Sequence, residues 1–324
     1  MRVANIETSA IQIQGDRLFD WFLRLCALVV LATFAVMALT LASHALSTIQ
    51  RYGLDYIFGT TWRPNQTTAL QEEFGAFPYI FGTVVTSIVA LALATPLAVG
   101  AGLFVSEYAP RWLGTPIAFA VELLVTIPSV IYGLWGMFVL VPFMRTVVQP
   151  FLQNTFGPVP LIGALFEGPI FGQGMLTAGI ILAIMILPTI LSLAREIIAQ
   201  VPRLQKEGAL ALGATKWEMI SMAILPYAKS GLIGAMILGL ARAIGETMAV
   251  TMVIGNASSE ISASLYTPGY TIASAIANQF SDTNSEVHFS AVVGLGMILL
   301  VVASVFNILA RLLARTINRM PARA

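Results

Sequence analysis

Charge, cysteine, histidine and lysine are all scarce in this sequence, and each scarcity removes a class of protein. Charged residues make up 10% of the 324, with 17 basic and 16 acidic, against roughly 25% in a soluble domain. So few charges cannot cover a globule of this size, and most of the surface must face something other than water. The single cysteine, Cys26, lies inside an apolar run, which excludes a disulfide framework and a zinc cluster. His44 and His288 are far apart and no GxSxG elbow occurs, so an intramembrane hydrolase lacks its usual parts. Lys206, Lys216 and Lys229 are the only lysines, and they fall close together.

What is abundant is apolar sequence. Hydrophobic residues make up 57% of the chain, and mean hydropathy is +0.85. Six runs are long enough to cross a hydrocarbon core about 30 Å thick: Leu25–Leu46, Ile80–Val105, Pro116–Val141, Met175–Leu193, Gly231–Ile254 and Ala291–Leu309. They are apolar all round, so they read as helices and not as barrel strands. The expected fold is therefore an all-α polytopic membrane protein with six transmembrane helices. The first run is too long for a secretory signal and reads as a retained helix. Pro96, Pro128 and Pro188 are expected to kink or interrupt their spans.

Basic residues set the expected orientation. Thirteen fall on one side: Arg2, Arg17 and Arg24 at the amino end, Arg111, a group from Arg195 to Lys229, and four arginines from Arg311 to Arg323. Three, Arg51, Arg63 and Arg145, fall on the other. Both termini are expected in the cytoplasm, with residues 1–24 as an inner segment, 25–46 as the first helix, 47–78 as an outer connection and 314–324 as a basic tail beside lipid headgroups. No nucleic-acid contact is implied. In the last outer connection, Tyr270–Phe280 reads as a short amphipathic helix, interfacial or gating. His44 and His288 read as interfacial side chains.

The connection from Arg195 to Lys229 has more structure than a simple turn. Helix formers dominate from Gln205 to Gly213, Ala214-Thr215-Lys216 breaks the pattern, and Trp217–Leu225 resumes it until Pro226. Two short helices around a glycine turn would make a knob against the membrane. Leu210, Leu212 and Trp217 are apolar anchors for a partner's groove, and Lys206 and Glu207 bring charge. Gly208 and Gly213 have the spacing of a phosphate-binding loop, but Ala214 stands where that motif needs lysine. ATP is therefore expected to bind elsewhere.

The fifth run places Arg242 and Glu246 four residues apart in its middle. On one helix that spacing stacks them on one face, about 6 Å apart along the axis. Intramembrane charges usually line a pathway or meet a partner, and a guanidinium fork suits an oxyanion. Glu122, in the third run, either pairs with Arg242 or lies near the headgroups; the sequence leaves both open.

Glu207-Gly208-Ala209, Gly213 and Leu225-Pro226 resemble the coupling motif of type I ABC importer permeases, departing from it at Gly208 and Ala223 without changing its spacing. The wording RAIGETMA from Arg242, with Glu122-Leu-Leu and IPSVIYG from Ile127, is similar to the phosphate-specific importer permeases, more to the PstC than to the PstA type. The resemblance implies a MetI-like core of five helices over 79–313 plus an amino-terminal helix. It also implies a related second permease (PstA-like), a dimer of an ATP-binding subunit (PstB-like) and a periplasmic phosphate-binding protein (PstS-like). Glu207, Gly208, Ala209, Gly213, Leu225 and Pro226 would then meet the ATPase, with no cofactor or metal on this chain. Arg242, Glu246 and Glu122 would lie on the substrate path. Sulfate, molybdate or proton-coupled carriage remain as alternatives, although the paired broken repeats of a secondary carrier are not found.

Overall fold

Backbone amides in a bilayer have no water to bond, so each apolar run closes its hydrogen bonds within itself as helix. A computed structural model describes residues 10–64, 72–160, 162–257 and 261–319; Arg2 and Arg323 lie outside them. In chain order the elements are α1 (Ala10–Tyr52), α2 (Asp55–Phe58), β1 (Trp62–Arg63), β2 (Glu73–Phe74), α3 (Phe77–Tyr108) and α4 (Arg111–Thr126). There follow α5 (Ser129–Phe156), α6 (Met175–Ala199), α7 (Arg203–Ala211) and α8 (Lys216–Ile244). The last are α9 (Met248–Val253), α10 (Ile272–Gln279) and α11 (Glu286–Arg319). Six of these, α1, α3, α5, α6, α8 and α11, are long and apolar enough to cross a membrane.

The central pillar is α6, with α3, α4, α8 and α9 packed around it. Ile181, Ile186 and Ile190 of α6 are fully buried, and Ala90, Ala94 and Ala98 of α3 are buried in the same cluster. Small side chains let membrane helices approach closely, which matters because lipid is as apolar as leucine and hydrophobicity does not hold such helices together.

The third span differs from the expected Pro116–Val141. Residues 111–126 form a separate shorter helix, Ile127 and Pro128 adopt extended backbone, and the span runs from Ser129 to Phe156. A proline disfavours the helical conformation of the residue before it, so Pro128 breaks the helix outright and starts a new one. Pro96 and Pro188 are instead carried inside α3 and α6.

Other prolines are accommodated by widened turns. Four five-residue π-turns occur among the described residues: Phe104–Tyr108, Gly136–Leu140, Met144–Val148 and Ile220–Ile224. Each ends two residues before a proline: Pro142, Pro150 and Pro226 are carried inside a continuing helix, whereas Pro110 has extended backbone beyond the end of α3. In an α-helix the proline ring clashes with the carbonyl four residues back. A wider turn at that point relieves the clash. Pro226 therefore does not end the second helix of the knob; the helix continues through it into α8.

A second cluster sits at the end of the bundle opposite α7. Strands β1 and β2 pair antiparallel, Trp62 opposite Phe74, and bury both rings with Tyr56, Tyr79, Ile272 and Leu295. The Tyr56 hydroxyl donates to the Ala291 carbonyl at 2.7 Å, and burial pushes its phenol pKa well above the ordinary range. His288 is no interfacial side chain. It is 1% exposed and its ring stacks on Phe74, because the hairpin covers the start of α11. The segment Tyr270–Phe280 contains α10, whose first turn is buried against the bundle while its end is partly exposed. Thr271 and Ser274 cap it reciprocally.

Candidate functional site

The knob is built by two adjoining caps. At the end of α7, Gly213 has φ +89°, and the amides of Gly213 and Ala214 donate to the carbonyls of Leu210 and Ala209 at 3.0 and 3.2 Å. That six-residue closure needs left-handed backbone, which glycine adopts without strain. Thr215 then caps α8: Glu218 N donates to its hydroxyl at 3.3 Å, and Thr215 N donates to the Glu218 carboxylate at 2.7 Å. The tight turn leaves Glu207, Gly208, Leu210 and Leu212 exposed, with Leu212 at 91% and Trp217 at 64%. Ala209 and Leu225 instead pack against Ile198, Ile220 and Ile224. The expected motif thus divides into an outward face and an inward face.

The expected stacking of Arg242 and Glu246 on one helix does not occur. Helix α8 ends at Ile244 with Gly245 as its cap, and Glu246 lies between α8 and α9. Its carboxylate accepts from the Ala249 amide at 3.3 Å, so its acceptor serves the start of the next helix. Arg242 donates from Nη1 to the Thr189 hydroxyl of α6 at 3.1 Å. Among the described residues it forms no ion pair with Glu246. Both side chains are half-buried. A guanidinium has five N–H donors, so Arg242 retains capacity to grip an anion.

The two wordings IPSVIYG and RAIGETMA come together. The first turns of α5 pack on α9, and a Cβ at Gly133 would lie 3.1 Å from the Ala249 Cα. Two helix starts, each following a break, thus meet in contact. Tyr132 bridges the first break by donating to the Leu124 carbonyl at 2.8 Å. Glu122 is neither in a span nor paired with Arg242. It lies on α4, largely exposed, and accepts from Arg195 of α6 at 3.1 Å. The break at Pro128 is the reason, since it removes α4 from the third span.

Sequence reasoning missed Thr189, the close approach of Gly133 to α9, and the pairing of Lys206 with Glu107. The last two are ninety-nine residues apart, and no periodicity links them. An acid directly after an apolar run, Glu107, was the only available signal.

The family described as binding-protein-dependent transport system inner membrane component matches residues 94–319. The chain is 45% identical over 311 residues to the phosphate transport system permease protein PstC of Xylella fastidiosa strain Temecula1, covering 94% of this chain and 93% of that protein. It is 41% identical to the PstC permease of Mesorhizobium japonicum, covering 94% and 91%. In fold it resembles a bacterial alginate ABC transporter chain, with a TM-score of 0.56 at 18% identity over 95% of this chain and 99% of that one. It also resembles a chain of the MetNI methionine ABC transporter, with a TM-score of 0.54 at 16% identity over 74% and 95%. With its six spans, the chain belongs to the binding-protein-dependent transport system inner membrane component family and is a multi-pass inner-membrane permease.

Proposed function

We propose that this chain is one of two related permease subunits of an ATP-driven importer that moves inorganic phosphate into the bacterial cytoplasm. The observation that carries the reading is Arg242, a guanidinium with spare donors at a helix break inside the bundle. The names of the 41–45% identical relatives supply phosphate as the anion. Both termini and the knob face the cytoplasm, where a dimer of ATP-binding subunits (PstB-like) grips Glu207, Gly208 and Gly213 on the outward face. Ala209, Leu225 and Pro226 transmit its movement on the inward face. A PstA-like permease completes the pathway beside α5 and α9, and a periplasmic phosphate-binding protein (PstS-like) delivers the anion to the opposite end.

In this reading phosphate passes Arg242 by exchanging water for the guanidinium fork, a bidentate match to its oxygens. In a poorly hydrated site that attraction counts for more than in water. Glu246, held against the start of α9, limits how long the anion is retained. Glu122 acts at one remove, bracing α4 against α6 through Arg195.

The test is uptake of radiolabelled phosphate by the complex reconstituted with its ATP-binding and phosphate-binding subunits. Uptake should require ATP, resist competition by sulfate and molybdate, and be abolished by Arg242→Gln while the chain remains abundant. Uptake that follows a proton gradient without ATP, or that survives Arg242→Gln, refutes the reading.

A further inference from the structure

An ATP-driven movement of the knob reaches α8 through the peptide chain, because the knob's second helix is the beginning of α8. Helix α3 has no such covalent route, yet it is bound to the knob at two points. Lys206 of α7 pairs with Glu107 of α3, and both side chains are mostly buried, at 18% and 12% exposed. The same ammonium reaches the Ile198 carbonyl of α6 at 3.5 Å. Lys216, at the first turn of α8, sits 5.3 Å from the centroid of the Tyr108 ring. Both lysines thus meet the same π-turn, Phe104–Tyr108, at the end of α3. Beneath them Val99 and Leu103 pack with Ile220 and Ile224.

A buried ion pair is a weak source of stability, because desolvation offsets most of its attraction. Its distinctive contribution is fixed geometry, maintained because separating the charges strands them. The far end of α3 is equally engaged. The Thr83 hydroxyl accepts from Ile272 N of α10 at 2.9 Å, and the Tyr79 hydroxyl accepts from Gln279 Nε2 at 3.2 Å. At about 1.5 Å per residue, α3 spans roughly 42 Å from Tyr79 to Glu107, between these attachments.

We propose that Glu107 and Lys206 form a strut that stays closed through the transport cycle and carries knob displacement into α3, and along α3 to α10. Both are positioning residues; neither touches phosphate or ATP. The proposal rests on the importer reading above and specifies how its energy reaches the span that holds α10.

The experiment uses the full reconstituted complex and reads phosphate imported per ATP hydrolysed. Lys206→Met and Glu107→Gln should each lower that ratio about tenfold, within the range usual for coupling between sites. The ATP-binding subunit should still copurify, because the exposed face of the knob is untouched. Exchange of the charges, Glu107→Lys with Lys206→Glu, should restore the ratio. A merely structural pair would lower abundance and leave the ratio normal in whatever complex survives, and that result overturns the strut. Should the single variants be degraded, a neutral pair decides. In a Cys26→Ser background, Glu107→Cys with Lys206→Cys should be uncoupled, and bridging the two thiols with a short bismaleimide should restore coupling. Arrest, or no recovery, on bridging overturns the proposal. A wild-type complex that imports no phosphate refutes the substrate assignment separately, and the strut is then judged on ATP hydrolysis stimulated by the binding protein.

Discussion

Helices α1 and α6 are almost equally apolar, with mean hydropathies of 2.6 and 2.4 over their most apolar windows. Yet 67% of that window is buried in α6 and none of it in α1. Hydropathy measures preference for lipid over water and is silent on whether another helix replaces the lipid. What distinguishes α6 is the size of the side chains facing it. Ala90, Ala94 and Ala98 approach from α3. Gly239 brings α8 so near that an added Cβ would lie 2.7 Å from Ile190 Cδ1. Helix α1 presents Leu, Phe and Val around its circumference and joins the bundle chiefly at its end, where the hydroxyls of Thr48 and Ser290 lie 2.9 Å apart.

The comparison predicts where enlarging a side chain is tolerated. Gly239→Leu should have the largest effect, because its new atoms must displace Ile190 from a packed position. Overpacking of this kind costs about 3 kcal/mol, expected as a marked fall in both Tm and abundance of the detergent-solubilised chain. An unchanged Tm would show that α8 does not lie on α6 as described.

A smaller and more selective effect is expected at Thr189, the point where α6 meets Arg242. Thr189→Val keeps the shape and removes the acceptor of the Arg242 hydrogen bond. Hydrogen bonds to charged groups contribute about 1.5–3 kcal/mol, so phosphate uptake should fall by roughly tenfold or more while Tm moves little. Normal uptake would mean that Arg242 needs no support from α6. Helix α1 offers no equivalent site, since its most apolar window is unburied.

The spans were legible because the bilayer enforces helix on long apolar runs, and the two-helix knob was legible because its glycine and cap residues act locally. Position along the third span was not. Of the prolines expected to kink or interrupt their spans, Pro128 interrupts and so shifts the span, while Pro96 and Pro188 are carried inside theirs. Residues 142–156 fall beyond the third run, Pro116–Val141, because Pro142, Arg145 and Pro150 lower hydropathy, whereas the π-turns before Pro142 and Pro150 let the helix continue. Arg242 and Glu246 were found as residues, but their arrangement was not. A single glycine, Gly245, decides whether they share a helix, and the Ala249 amide competes for the carboxylate. Lys206 was recognised as a charge on the knob, while its partner Glu107 depends on tertiary contact between α3 and α7 that no local pattern encodes.

The smallest expected effect completes the comparison. Ala35, midway along α1, is exposed, and Ala35→Leu adds atoms of the same kind as Gly239→Leu. On a lipid-facing surface the added side chain displaces only acyl chains, which flow around it and are as apolar as leucine itself. No neighbour is pushed from its rotamer and no cavity changes. Leucine and alanine are also both good helix formers. Tm and phosphate uptake should therefore stay at wild-type values, within the roughly 0.5 kcal/mol usual for surface substitutions. The informative measurement is copurification of the other subunits alongside Tm. A chain that is stable alone yet fails to assemble would place a protein neighbour, and not lipid, against α1. The contrast between the two helices would then belong to the isolated chain and disappear in the complex.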